Sequence, residues 1–206
     1  MLNSKGFDLW ADGYDKSVGL SDEDNTYPFA GYKNVLNTIF SEIVSKYRPT
    51  VMDIGFGTGT LTKKLYEYGC EIWGLDFSER MIQLAKEKMP GAHLFRGDFS
   101  KGVALELRQQ SYDYIIATYS LHHLSDGEKV RLIDSLLPLL KENGKIIVGD
   151  VMFENRGELE QCRRISGNEW DDDEIYFVYD EIRALFNCKV RFQKVSHCAG
   201  ILLFET

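Results

Sequence analysis

Hydrophobic positions follow two alternating periodicities along the chain. Apolar residues spaced three and four apart predict an amphipathic helix over residues 31–47, which ends at Arg48-Pro49. A continuous apolar run that begins at Thr50 predicts a buried strand directly after this helix. The apolar stripe of the helix comprises Val35, Leu36, Ile39, Phe40, Ile43, Val44 and Tyr47. A helix followed at once by a buried strand is typical of an α/β domain.

Strands and helices continue to alternate as far as Asp150. Ser78 is positioned to cap the third helix, and Ser125 and Glu128 have the spacing of a capping box. Beyond Asp150 we predict a helix, a polar loop over residues 166–176, another helix and two final strands. The predicted strands after the first are residues 72–75, 92–95, 112–118, 189–195 and 200–205, with a further strand inside 136–150, and the remaining helices include 61–68, 154–165 and 180–186. This alternation favours a parallel sheet.

Three alternating glycines follow the first predicted strand. Gly55, Gly57 and Gly59 come after Asp53, and the next helix is predicted to begin at Leu61. Glycine permits backbone dihedrals that are costly for other residues, and it lets a ligand approach with no Cβ in the way. The first turn of the following helix presents backbone N–H groups that suit an anionic or polar ligand. The turn therefore predicts a ligand-binding loop.

Asp76 closes the next apolar run of the chain. A carboxylate at that place can accept hydrogen bonds from both hydroxyls of a ribose, which predicts a ligand that contains a nucleoside. A dinucleotide-binding turn has the pattern Gly-x-Gly-x-x-Gly. Here the sixth position is Thr60 when counted from Gly55 and Thr62 when counted from Gly57. The spacing therefore disfavours a dinucleotide.

The pattern acid-x-Gly-x-Gly-x-Gly, which begins at Asp53, resembles motif I of the class I S-adenosylmethionine (SAM) methyltransferases. Four further stretches resemble other motifs of that family and occur in the family's order. They are the N-terminal signature of residues 7–15, the segment Arg96-Gly97-Asp98-Phe99, the motif IV stretch of residues 112–124, and the helix, turn and strand of residues 136–150. The likeness covers residues 7–153 and is greatest to the YrrT-like group of small bacterial methyltransferases.

The resemblance implies a Rossmann-like α/β fold with a seven-stranded, mostly parallel sheet, an antiparallel terminal strand and helices on both faces. It implies one methyltransferase domain over residues 1–206, with an N-terminal lid and covering helix (1–47), a SAM-binding core (48–153), and acceptor-side helices and terminal strands (154–206). SAM is the expected cofactor and S-adenosylhomocysteine (SAH) the product, with no metal. The expected cofactor-binding residues are Tyr14, Asp53, Gly55, Gly57, Thr58, Gly59, Asp76, Phe77, Asp98, Phe99 and Thr118.

Several of these residues have alternative roles. Asp53 either supports the glycine loop by hydrogen bonding or contacts the cofactor through water. The resemblance assigns Asp98 to the adenine amino group, although an acid at this place also suits a loop cap. Tyr14 either packs with an N-terminal helix or reaches the methionine end of the cofactor, as part of a lid that orders on binding. Phe77 is positioned to lie on the adenine face, and Thr118 ends the fourth strand, where ligands bind in open α/β sheets.

Two adjacent histidines, His122 and His123, lie in the motif IV stretch. Neighbouring side chains on a loop point in different directions, so we expect that the two histidines cannot both face one substrate. One of them is expected to anchor the loop, while the other lines the transfer pocket as a base or a positioning group. His122 is the candidate catalytic residue. No spacing of nearby Cys, Asp or His residues predicts a metal site.

Composition and missing motifs point to a small-molecule acceptor. The net charge of −8 and the absence of a basic patch oppose a nucleic-acid partner. The stretch after the fourth strand lacks the Asn/Asp-Pro-Pro-Tyr motif of nucleobase amine methylation and the Pro-Cys motif of cytosine methylation. The densest acidic run, Asp171 to Glu174, is interpreted as solvated surface. The aromatic residues of the acceptor-side segment either bind an apolar acceptor or pack together, and they are Trp170, Tyr176, Phe177 and Tyr179.

Cellular location and partners follow from simpler features. No apolar run approaches the roughly 18 residues of a membrane span, and the N-terminal residues lack the apolar core of a signal peptide. We therefore expect a cytoplasmic protein with no membrane partner, either a monomer or a homodimer. The four cysteines lack Cys-x-x-Cys spacing and are interpreted as free thiols, with Cys188 and Cys198 facing each other on a terminal hairpin. A non-catalytic SAM- or SAH-binding protein and a nucleotide-dependent oxidoreductase are the alternative function classes.

Overall fold

The structure is a computed structural model that describes residues 25–205. Tyr14 and the predicted N-terminal lid lie outside these residues. The described helices are α1 (Tyr32–Val44), α2 (Thr60–Glu67), α3 (Glu79–Lys88), α4 (Leu105–Arg108), α5 (Asp126–Leu136), α6 (Arg156–Ser166) and α7 (Tyr179–Ile182). The described strands are β1 (Thr50–Ile54), β2 (Glu71–Asp76), β3 (His93–Arg96), β4 (Tyr112–Thr118), β5 (Leu140–Phe153), β6 (Phe177–Val178), β7 (Lys189–Lys194) and β8 (Ala199–Glu205).

Within the described residues the strands form one sheet in the order β3-β2-β1-β4-β5-β8-β7. Strands β1 to β5 are parallel where they pair, whereas β8 is antiparallel to both β5 and β7. The predicted fold, mostly parallel with an antiparallel terminal strand, is confirmed. The eighth strand, β6, is an addition to the predicted seven and pairs with the end of β5 at Met152 and Phe153. Its two residues are too few for a hydrophobic period to reveal.

Helices cover both faces of the sheet, as expected. Successive residues of β4 alternate between two hydrophobic clusters, because side chains on a strand point to opposite faces. Ile116 packs in the cluster formed with α1, α2, α3 and α6, and Ile115 packs in the cluster formed with α4, α5 and α7. Both isoleucines are fully buried. The strand order reverses at β1, so the glycine turn lies at the place where open α/β sheets bind ligands.

Helix ends follow the predicted caps with one exception. Ser78 Oγ accepts a hydrogen bond from the amide of Met81 at 3.1 Å, and Ser125 and Glu128 form the predicted capping box. The prediction that α1 extends to Tyr47 is wrong, because α1 ends at Val44 and Tyr47 is 86% exposed. The chain turns through a positive φ of 46° at Arg48 to enter β1, which directs Tyr47 away from the core.

None of the helices in the described part of the chain is long and apolar enough to span a bilayer.

Candidate functional site

The glycine turn after β1 packs tightly on one side and is open on the other. The amide of Gly55 donates a hydrogen bond of 2.7 Å to the carbonyl of Leu75, and its φ is +71°. A Cβ on Gly55 would lie 2.5 Å from the Cβ of Ser120, so only glycine fits there. Gly57 has a φ of +55°, and a Cβ on it would meet no atom of residues 25–205 within 4 Å. Within this part of the chain Gly57 therefore faces open space, which a ligand can occupy.

Asp76 joins this turn to the start of α3. Its Oδ2 atom accepts a hydrogen bond from the amide of Gly57 at 2.9 Å, and its Oδ1 atom accepts one from the amide of Ser78 at 2.9 Å. The Asp76 side chain is buried at the carboxyl end of β2. The carboxylate therefore lies at the edge of the sheet that faces the open side of the turn.

A cleft-shaped cavity that is open to solvent lies at this edge of the sheet. Ligands and cofactors bind in concave sites of this kind. The sequence-predicted residues that line it are Gly55, Gly57, Thr58, Asp76, Phe77, Phe99 and Thr118. Nine further residues line the cavity, and they are Tyr32, Phe56, Thr60, Leu61, Thr62, Met81, Tyr119, Ser120 and His123. Tyr119, Ser120 and His123 belong to the motif IV stretch, so that motif indicated a third of this set.

Asp53 is placed to hold the turn instead of lining the cavity. Its Oδ2 atom accepts a hydrogen bond of 2.5 Å from Thr62 Oγ1, which ties β1 to α2, and the side chain is 1% exposed. Burial raises the pKa of Asp53 to about 7, although the bond from Thr62 opposes the shift. These contacts are those of the supporting role. Gly59 likewise serves as the residue before α2, with a φ of +78°.

The contacts of Asp98 are those of a loop cap. Its Oδ1 atom accepts hydrogen bonds from the amide and the hydroxyl of Ser100, at 3.0 and 2.5 Å, and Oδ2 pairs with Lys101 at 2.9 Å. Burial opposes ionisation, but the bonds from Ser100 and Lys101 outweigh it and hold the pKa of Asp98 below its usual value. The side chain is 45% exposed. The assignment of Asp98 to adenine stays a prediction.

The two histidines converge on one carboxylate. His122 and His123 form a 3₁₀ turn after β4 with their ring centroids 4.2 Å apart. His123 Nδ1 lies 3.0 Å from Glu174 Oε2, and His122 Nε2 lies 3.5 Å from the same atom. Both rings therefore contact one carboxylate of the protein, and the expectation that they cannot both face one substrate stays a prediction. The interpretation of Glu174 as solvated surface is wrong, because the loop after α6 brings its carboxylate against both rings.

A buried carboxylate fixes the His122 ring from the other side. Nδ1 of His122 lies 2.6 Å from Asp150 Oδ1, and Asp150 itself accepts hydrogen bonds from the amides of Leu121 and Val151. Burial opposes the charged imidazole, but the carboxylates of Asp150 and Glu174 outweigh it and raise the pKa of His122. Among the described residues it is His123, not His122, that lines the cavity.

The loop that carries Glu174 is fixed by two backbone contacts. The amide of Ile175 donates a hydrogen bond of 2.8 Å to the carbonyl of His122. The carbonyl of Ile175 accepts a hydrogen bond of 2.5 Å from Lys129 Nζ, and that amine also pairs with Asp126 at 3.0 Å. Lys129 is fully buried. Because these contacts hold both backbone groups of Ile175, the residue directly after Glu174, the fold positions the Glu174 carboxylate.

Comparison with known proteins agrees with this geometry. A family model described as "Methyltransferase domain" matches residues 51–144. An uncharacterized methyltransferase of Anoxybacillus flavithermus is 40% identical over 150 residues, which cover 73% of this chain and 68% of that protein. Another, of Oceanobacillus iheyensis, is 36% identical over 206 residues, which cover 95% of this chain and 93% of that protein. The chain belongs to the class I S-adenosylmethionine-dependent methyltransferase family.

Solved structures of methyltransferases share the fold at low sequence identity. The DhpI–SAH complex superposes with a TM-score of 0.72 at 15% identity, covering 98% of this chain and 94% of that chain. The magnesium protoporphyrin IX methyltransferase of Synechocystis with bound SAH gives a TM-score of 0.66 at 18% identity, covering 85% of this chain and 84% of that chain. The likeness in fold to these methyltransferases covers most of this chain.

The acceptor-side aromatics of this methyltransferase pack on one another. Trp170 stacks on Tyr27 with ring centroids 4.9 Å apart and meets Tyr176 edge-on at 5.0 Å. The hydroxyls of Tyr27 and Tyr176 are hydrogen-bonded to each other, and Phe177 is 1% exposed. Tyr179 stacks on Phe192. Of the two alternatives for these rings, packing describes their contacts in the structure.

The described cysteines are free thiols, as predicted. The expectation that Cys188 and Cys198 face each other is wrong, because Lys189 pairs with Glu205, and Cys188 therefore lies at the opposite end of the β7–β8 hairpin from Cys198. Cys198 instead lies beside Cys162 of α6, and a hydrogen bond from Cys198 lowers the pKa of Cys162 to about 7.

Proposed function

We propose that the chain binds SAM in the cavity beside the glycine turn and transfers its methyl group to a small-molecule acceptor. The observation that carries the proposal is that Asp76, the open side of Gly57 and the end of β4 at Thr118 line one cavity at the strand-order reversal. Ligands bind at this place in open α/β sheets. The relatives named as methyltransferases support the same activity.

The residues around the cavity suit the parts of SAM. Asp76 lines the cavity, and a carboxylate there can accept hydrogen bonds from ribose hydroxyls. Phe77 and Phe99 provide apolar walls that suit adenine. In our proposal Thr58 and Thr118 contact the cofactor directly, while Asp53 and Gly59 hold the turn in shape. Tyr14, outside the described residues, is proposed to reach the methionine end.

The chemistry demands little of the protein. When bound, SAM supplies a methyl group that the sulfonium already activates, and the protein's task is to align the acceptor with it. His123 lies on the cavity wall beside Tyr119 and Ser120, where a base or an orienting group would act. We propose His123 as the histidine that contacts the acceptor and His122 as the residue that positions it. This assignment replaces His122 as the candidate catalytic residue.

A small acceptor is supported by charge and by the neighbours. The chain carries 32 acidic and 24 basic residues, so phosphate-rich acceptors are repelled. The Synechocystis neighbour is named for a small-molecule acceptor, magnesium protoporphyrin IX. A cytoplasmic location, a monomeric or homodimeric state and the YrrT-like subgroup stay predictions.

Two measurements test the function. Calorimetric titration with SAH and separately with NADH should give micromolar binding of SAH, roughly −8 kcal/mol, and none of NADH. Tighter binding of NADH would favour the oxidoreductase alternative. Turnover of methyl-labelled SAM with a panel of small acceptors should then give labelled product. SAH binding with no transfer to any acceptor would favour the non-catalytic binding protein.

A further inference from the structure

Three side chains beside the cavity present metal-ligand atoms to one point. His122, His123 and Glu174 each offer one ligand atom, and these three atoms all lie within 4.8 Å of one another. The nitrogen atoms that approach Oε2 of Glu174 are Nε2 of His122 and Nδ1 of His123. The two nitrogen–oxygen distances are 3.5 and 3.0 Å. Ligands bound to zinc at about 2.0–2.1 Å lie roughly 3.3 Å apart in a tetrahedron, so both distances are close to those of a metal site.

The hydrogen bonding of the cluster leaves two acceptors facing each other. With the His122 Nδ1 proton directed at Asp150, Nε2 carries a lone pair toward Glu174. Oε2 of Glu174 is buried and accepts no hydrogen bond from the described residues. A lone pair and a carboxylate oxygen 3.5 Å apart repel each other unless a cation lies between them. The cluster therefore requires either a proton or a metal ion.

The surroundings match those of a metal site in two further respects. A carboxylate that holds the far nitrogen of a ligating histidine is the usual outer partner in protein metal sites, and Asp150 takes that place here, fixed by two backbone amides. The nearby charges also have an excess of negative charge, which favours the binding of a cation. Asp150 and Glu174 carry two negative charges, and the nearby Lys129 offsets one of them while it pairs with Asp126.

We propose that His122, His123 and Glu174 bind a divalent transition-metal ion of the zinc or cobalt class. Two histidines and one carboxylate are a set that such ions accept, and three protein ligands leave a coordination position open. Because His123 also lines the cavity, the open position faces the cofactor side. Its role in transfer, which rests on the proposed function, is to bind and orient an oxygen or nitrogen atom of the acceptor. Because 50 residues separate His123 from Glu174 in the sequence, no spacing rule could identify this set of ligands.

The test measures metal binding directly, without SAM. The full chain is stripped with a chelator and titrated with Co²⁺ by visible absorption and with Zn²⁺ by calorimetry. We expect one site of micromolar or tighter affinity, with no thiolate-to-cobalt charge-transfer band. Glu174→Gln and His123→Ala should each weaken binding at least tenfold, and circular dichroism confirms that each variant is folded. The matched control is Asp172→Asn, an exposed acid of the same loop, which should bind as the wild type does.

A second cluster serves as the competitor in this experiment. Cys162, His197 and Cys198 also lie within ligand distance of one another, and their thiolates would give the charge-transfer band. Cys162→Ser should leave the proposed site unchanged. Two outcomes would overturn the proposal. The first is metal binding that Cys162→Ser abolishes and Glu174→Gln leaves unchanged. The second is no metal binding at all, which would mean that the cation in the cluster is a proton. SAH titration of the metal-free protein tests the proposed function separately. Failure of the metal proposal can therefore be distinguished from failure of the proposed function.

Discussion

The amide of Gly57 donates a hydrogen bond of 2.9 Å to the carboxylate of Asp76. This bond connects the glycine turn after β1 to the end of β2, and Ser78 extends the connection to α3. The same carboxylate that shapes the turn is thus the group that we propose for the ribose. Asp76 therefore both shapes the glycine turn and, in our proposal, recognises the ribose.

Replacing Asp76 by alanine should weaken SAH binding at least tenfold. Two charge-assisted hydrogen bonds to the ribose would be lost, each worth about 1.5–3 kcal/mol. Calorimetric titration measures the effect, and urea unfolding checks that the variant is folded. The control is Glu79→Gln, a 64% exposed acid in the first turn of α3 that should bind as the wild type does. Unchanged affinity in a folded Asp76→Ala protein would remove Asp76 from the ribose site.

Replacing Gly57 by alanine should reduce SAH affinity while the fold is kept. A left-handed φ costs a residue with a Cβ about 1–2 kcal/mol, but the new Cβ would meet no atom of the described residues within 4 Å. It would instead project into the space assigned to the ligand. Gly69→Ala is the matched control, because Gly69 also has a positive φ and an open Cβ direction but does not line the cavity. Equal SAH affinity in the two variants would contradict the ligand position.

Replacing Gly55 by alanine should destabilise the protein more than either of those changes. The new Cβ would lie 2.5 Å from the Cβ of Ser120, whose hydroxyl donates a hydrogen bond of 2.9 Å to the carbonyl of Ile54. Overpacking of this kind costs about 1–3 kcal/mol in addition to the backbone strain. Urea unfolding of the Gly55→Ala and Gly57→Ala variants measures the difference. Equal free energies of unfolding would show that the close packing at Ser120 is not required.

The free energy of unfolding should carry a pH dependence that Asp53→Asn removes. The Asp53 carboxyl has a pKa of about 7 in the folded chain, compared with about 3.9 when unfolded. The folded state therefore holds the proton more tightly than the unfolded state does. The stability that this proton contributes is fully present below pH 4 and is lost as the pH rises to 7. This amounts to roughly 2–3 kcal/mol between pH 5 and pH 8.

Urea unfolding at these two pH values, in the wild type and in Asp53→Asn, isolates the contribution. Glu67→Gln, which removes an exposed acid from α2, should keep the wild-type slope. If the free energy of unfolding of Asp53→Asn changed with pH as much as that of the wild type, the result would indicate that Asp53 is ionised when buried.

Local patterns predicted most of the fold. The bounds of β4 are those expected from the sequence, and the Ser125 cap begins α5 as its spacing indicates, because both depend on neighbouring residues. The errors lie in segments whose structure depends on contacts with residues that are distant in the sequence. Tyr47 continues an apolar stripe, yet the turn at Arg48 leaves it in solvent. The two residues of β6 become a strand only because β5 is beside them.

The residues around the glycine turn could be predicted from the sequence, whereas the contact between Glu174 and the histidines could not. Gly55, Gly57 and Asp76 belong to short motifs whose spacing fixes their geometry. Glu174 belongs to an acidic run that resembles ordinary surface. Its contact with His123 depends on a loop that Lys129 and the His122 backbone hold in place, and no periodicity encodes such a contact.

The position of β8 has a consequence for how the chain is made. Residues 199–205 form an inner strand that fills the gap between β5 and β7. During synthesis, β1 to β5 leave the ribosome first, but β5 keeps one unpaired edge until these late residues emerge. At about 5–20 residues per second, the nascent chain waits several seconds with that apolar edge uncovered. Exposed strand edges invite pairing with other chains, so the nascent protein stays at risk of aggregation until β8 has paired with β5.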